Sequence, residues 1–192
     1  KELSKRTISC FVLLTMVLVT ICQAPSVSMA DDEVISFEFA AGNQTPPAPG
    51  EYGGYLISTE NGTIDGSDLI LTTGNTFRYS LTVPKTGNYL MYLKYKGRNT
   101  SNHSNFDVTN QLGPKNLFSA SEWRNSVRIT GSATSNDTFT PYGSLNLEAG
   151  GNIVTFSLTS NAVTLVAVKI ELNQAFSVDE NNEIEEIKEV SV

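Results

Sequence analysis

Along much of the chain, apolar side chains recur at every second position. Phe77, Tyr79, Leu81 and Val83 share one face of an extended segment whose other face carries Arg78, Ser80 and Thr82. Pro84-Lys85-Thr86-Gly87 is a turn signal. Beyond it, Tyr89, Met91, Leu93 and Tyr95 alternate with Leu90, Tyr92 and Lys94, which predicts a hairpin of two strands. Leu145 and Leu147 lead into the turn Glu148-Ala-Gly-Gly-Asn152, and Val154, Phe156 and Leu158 follow until Ser160-Asn161 breaks the pattern. A last strand puts Val166, Val168, Ile170 and Leu172 on one side. Helical periodicity is missing from residues 34–172, and the spacing leaves no room for βαβ units. The pattern predicts an all-β, antiparallel β-sandwich.

The first thirty residues follow a different rule. Lys1, Lys5 and Arg6 precede the uncharged run Cys10–Cys22, and Ser28-Met29-Ala30 then presents small residues before Asp31. As a helix, the thirteen-residue run would reach about 20 Å, short of the ~30 Å of a bilayer core. Residues 1–30 are therefore expected to be a secretory signal peptide cleaved after Ala30, with a retained N-terminal anchor as the alternative. The mature chain would carry no membrane span and would be secreted or held at the cell surface. Residues 31–172 read as one domain, interrupted by the turn-rich stretch Gly42–Gly50. Residues 173–192, with six acidic side chains against Lys188, read as an acidic tail or a linker to a missing C-terminal domain.

Removing the leader sharpens what the composition excludes. Both cysteines leave with it, so a disulfide framework, a thiol nucleophile and a cysteine metal cage are excluded. Ten basic and nineteen acidic side chains remain, a charge near −9 with no footprint for nucleic acid. His103 is the single histidine, too few for a histidine-built zinc site. No nucleophile-elbow, zinc-protease or phosphate-loop motif appears. Asp65, Asp68, Asp107, Glu122 and Asp137 show no spacing that singles out a catalytic pair. The expectation is a protein that is not an enzyme.

Four stretches carry a resemblance: Ile35-Ser-Phe-Glu38-Phe; the strand, turn and strand Asn75–Tyr95; the Trp-bearing Ser121-Glu-Trp-Arg124; and the hairpin Leu145–Phe156. Together, over residues 34–172, they resemble carbohydrate-binding modules of families six and thirty-five, which are galactose-binding-like jelly rolls. The resemblance implies a glycan or polysaccharide as partner. It also implies a structural calcium, for which Glu38 is the matching carboxylate. The chain departs from the family where Thr164-Leu165-Val166 stands in place of Asn-Leu-Asp, so Val166 replaces a calcium ligand and Thr164 the sugar-bonding Asn.

A sugar site needs an aromatic ring against the C–H face of a pyranose and polar groups for its hydroxyls. The expected ligand residues are Trp123, Tyr52 and Tyr55 as rings, with Arg98 and Asn99 from the polar loop Gly97–Asn105. Asn161 joins them from a position that is on the rim in the resembling modules. The other reading is a structural or adhesive sandwich with no sugar site.

Overall fold

The computed structural model describes residues 34–97, 103–118, 123–128, 139–179, 181 and 183–185, with the main chain alone at 97, 103, 123–128 and 185. The chain divides into units 1–33 and 34–192. All described residues belong to the second, and the expected leader and its cleavage site lie outside them.

Thirteen strands and no helix form the described residues. The first six are β1 (Ser36–Ala40), β2 (Gly53–Glu60), β3 (Thr63–Asp65), β4 (Asp68–Leu71), β5 (Thr76–Val83) and β6 (Gly87–Gly97). β7 (His103–Leu112), β8 (Trp123–Arg128), β9 (Thr140–Leu147), β10 (Gly150–Ser160) and β11 (Val163–Ala175) follow, then the short pair β12 (Ser177–Val178) and β13 (Ile184–Glu185). One sheet runs β3-β4-β11-β6-β9 and the other β2-β5-β10-β7-β8. β1 and β4 lie end to end on one edge of β11, β4 against Val163–Leu165 and β1 against Ala167–Glu171. Every pairing is antiparallel. The architecture is the all-β antiparallel sandwich that the alternation predicts, and the jelly roll that the resemblance implies.

The core is the inner face of each strand. Phe77, Tyr79, Leu81 and Val83 of β5 are buried, as are Tyr89, Met91, Leu93 and Tyr95 of β6 and Val154, Phe156 and Leu158 of β10. Phe77 and Phe156 stack with ring centroids 5.1 Å apart, and Phe39 meets Tyr79 edge-on at 5.2 Å. Such pairs add about 0.5–1.5 kcal/mol each beyond their burial. The Tyr79 hydroxyl, deep in this core, donates to the carbonyl of Ala41 at 2.9 Å. Left unbonded, it would cost about 1–3 kcal/mol.

Three expectations need correction. The strands on either side of the Pro84–Gly87 turn, β5 and β6, belong to different sheets, as do β9 and β10, so each turn crosses the sandwich instead of closing a hairpin. In β11 the inward residues are Val163, Leu165, Val168 and Ile170, while Val166 and Leu172 are only half-buried. The cause is a bulge: Leu165 faces Tyr95 and Ala167 faces Lys94, so Val166 is an extra residue and the alternation changes phase there. The domain also continues past Leu172. β11 stays paired with β6 as far as Ala175 opposite Gly87, and the Phe176 N–H donates to the carbonyl of Thr86 at 2.8 Å. The Phe176 ring lies 6.2 Å from that of Phe118.

One charged side chain is structural. Glu148 is buried, and its carboxylate accepts the N–H groups of Lys115 at 2.6 Å and Leu117 at 2.7 Å. It thereby ties the segment after β7 to the turn between β9 and β10.

Candidate functional site

Alternation that buries one face of each strand leaves two outer faces, and they differ in how their side chains are occupied. On the six-stranded sheet the polar groups satisfy one another. Lys96 pairs with Asp68 at 2.6 Å and Lys169 with Glu171 at 2.6 Å. Lys169 also lies 5.3 Å from the Tyr92 ring centroid, and Lys94 sits 4.5 Å from that of Phe139. The hydrogen bond to Glu171 holds the Lys169 ammonium above its ordinary pKa, against a small opposing effect of burial. Asn173 donates to Asn88 at 3.1 Å and Asn88 to Asn146 at 2.8 Å, an amide ladder across three strands.

The five-stranded sheet presents a row instead. Tyr55 of β2 is opposite Ser80 of β5, Ser80 is opposite Ile153 of β10, and Ile153 is opposite Leu112 of β7. Directly opposed residues share a face, so the four side chains form one band about 14 Å across at the usual strand spacing. Ile153 is 38% exposed and Leu112 47%. Ile153 and Leu112 are thus adjacent exposed apolar side chains on an outer face. The next row holds Ser58, Arg78, Thr155 and Asn110. Arg78 is exposed, and among the described residues no hydrogen bond or ion pair engages its guanidinium. One row further, the Thr76 and Ser157 hydroxyls bond each other at 3.2 Å.

The expected ligand residues are thereby separated. Tyr55 belongs to the band. Tyr52, 54% exposed, precedes β2 at the end of the sandwich marked by the Pro84–Gly87 turn, close enough to Tyr89 for their hydroxyls to interact electrostatically. Asn161 lies at the opposite end, where its φ of 57° suits the tight connection from β10 to β11. From Ile153 to Asn161 the extended chain covers about 26 Å. The single rim expected for Tyr52 and Asn161 is thus replaced by two opposite ends. Trp123 opens β8 with its main chain opposite Val108; its side chain, Arg98 and Asn99 lie outside the described residues. Arg78, Ile153 and Leu112 escaped the sequence reading. For Ile153 and Leu112 the signal is an apolar residue at an outward position, as with Ile153 between Asn152 and Val154; Arg78 carries no such signal.

Glu38 is the carboxylate that the resemblance matches to calcium. It is exposed on β1 opposite Lys169, whose ammonium is a competing cation. The carbonyl of Val166 accepts the Ala41 N–H at 3.0 Å. Among the described residues no three His, Cys, Asp or Glu side chains converge, whereas calcium takes six to eight oxygens. Among the described residues, strongly shifted ionisation is confined to core tyrosines. Burial raises Tyr79 and Tyr142 far above the ordinary phenol range and Tyr89 to about 12.

No family model and no curated protein matches the chain. Among solved structures it is similar to a family 35 carbohydrate-binding module from Cellvibrio japonicus, at 17% identity and a TM-score of 0.48, over 71% of this chain and 92% of that one. It is also similar to the C-terminal family 6 module of a laminarinase from Zobellia galactanivorans, at 11% identity and a TM-score of 0.46, over 71% and 99%. A third is a Paenibacillus cycloisomaltooligosaccharide glucanotransferase complexed with cycloisomaltoheptaose, at 14% identity and a TM-score of 0.47. That match covers 71% of this chain, which spans only 18% of the enzyme. The two modules belong to the families that the hairpin motifs resemble.

Proposed function

We propose that this protein is a secreted, non-catalytic carbohydrate-binding module that holds a polysaccharide on the outer face of its five-stranded sheet. The observation that carries the reading is the band of half-buried Tyr55 and Ser80 with exposed Ile153 and Leu112, bordered by the hydroxyl of Ser58 and the amide of Asn110. The Tyr55 ring and the two aliphatic side chains suit the C–H face of a sugar ring, and the polar row suits its hydroxyls. Export rests on the signal-like residues 1–30.

A few contacts of about 0.5–1.5 kcal/mol each give a dissociation constant between about micromolar and millimolar. A glycan array probed with the full chain tests the reading, with Tyr55→Ala and Trp123→Ala as companions. Retention of a polysaccharide that Tyr55→Ala weakens by a factor of about 2–12, at unchanged thermal midpoint, supports it. A blank array favours the second reading, a structural or adhesive sandwich. Ile153 and Leu112, being aliphatic, would then serve as a protein contact.

A further inference from the structure

We propose that Arg78 is a specificity-determining residue for an anionic polysaccharide, one bearing carboxylate or sulfate groups. The inference rests on the sheet-face reading above and adds the ligand's charge. The lysines of the six-stranded face are engaged by carboxylates or by aromatic rings. Arg78, central on the other face in β5, has no such partner among the described residues. Its guanidinium is a planar fork that matches a carboxylate or a sulfate better than it matches a neutral hydroxyl.

The placement of the other charges agrees. Glu60 is opposite Thr76, and Asp107 is opposite Ser157. Both carboxylates therefore lie on the row beyond Arg78, away from the apolar band. Among the described residues, a chain lying on Tyr55, Ser80 and Ile153 has the guanidinium as its nearest charged neighbour. The protein as a whole carries a net charge of −7, so its general field repels polyanions. Retention of a polyanion then requires a dedicated cation.

Affinity electrophoresis of the full chain with matched polymers tests this: dextran sulfate against dextran, and polygalacturonate against its methyl-esterified form. The expected result is binding to one charged polymer about tenfold or more tighter than to its neutral partner, weakening as salt is raised. Arg78→Gln should abolish that difference, Arg78→Lys should retain part of it, and neither should move the thermal midpoint. Preference for polygalacturonate assigns a carboxylate, and preference for dextran sulfate assigns a sulfate. Binding to neutral polymers that Arg78→Gln leaves unchanged overturns the charge assignment and spares the proposed function. If neither these polymers nor a glycan array shows retention, both fall together.

Discussion

The side chain of Asn152 closes the turn between β9 and β10 onto Glu148. Its Oδ1 accepts the Glu148 N–H at 3.0 Å, and its Nδ2 donates to the Glu148 carbonyl at 2.8 Å and to the Gly150 carbonyl at 3.1 Å. Asn152 is fully buried, so water cannot replace these bonds. Asn152→Ala should therefore lower stability by at least about 1–3 kcal/mol, the penalty for a stranded buried polar group. Urea unfolding measures it; a change within a few tenths of a kcal/mol would show that the turn holds without the amide.

Glu148→Gln should act more locally. One of its two acceptor oxygens becomes an amide donor facing a main-chain N–H, so the bond to Lys115 or to Leu117 is lost. Hydrogen exchange at those two amides should accelerate, while exchange in β5 and β10 stays slow. Uniform acceleration across both sheets would mean that Glu148 supports the whole core.

Gly54 has no room for a methyl group. A Cβ there would overlap the Phe39 ring, which itself packs on Tyr79. Gly54→Ala should cost about 1–3 kcal/mol as overpacking, visible as a lowered thermal midpoint. The double variant Gly54→Ala/Phe39→Leu should recover part of that loss, and an additive double variant would place the strain elsewhere.

Alkaline pH should unfold the domain through its core tyrosines. Burial raises Tyr89 from an ordinary value of 10.0 to about 12 and drives Tyr79 and Tyr142 further in the same direction. The folded state thus keeps protons that the unfolded chain would release. The stability tied to Tyr89 is complete below pH 10 and is lost as the pH rises to about 12. In an absorbance titration of the seven tyrosines, the last to ionise should do so together with loss of near-ultraviolet circular dichroism. Ionisation of all seven near pH 10 with the fold intact would contradict this.

Calcium should leave stability unchanged, given Lys169 opposite Glu38 and Val166 at the bulge. An ion bound to the folded state alone would add about 2.7 kcal/mol at a hundredfold excess over its dissociation constant. A midpoint that rises with calcium and falls with chelator would restore Glu38 as a ligand.

The sandwich was legible wherever alternation ran unbroken, as from Phe77 to Tyr95, because burial on one face writes period two directly into the sequence. It misled at Val166, where one inserted residue reverses inside and outside without any local signature. The site was harder to read. Tyr55 drew notice from its glycine-rich surroundings, but Ser80, Leu112 and Ile153 become its neighbours only through pairing across distant strands. Arg78 looked like any outward residue of an alternating strand; its proposed role comes from having no partner among the described residues.

The position of β11 has a consequence for the order in which the protein can be built. This strand is interior to its sheet yet late in the chain, and β1, β4 and β6 all pair with it. Until Val163–Ala175 leaves the ribosome, β1 and the β3–β4 hairpin have no seam to join. The local pair β3–β4 does not close the sheet, and the joining contacts span most of the sequence, which is slow. The growing chain therefore stays open until β11 has been synthesised, and a nascent chain in that state can still be threaded elsewhere before it folds.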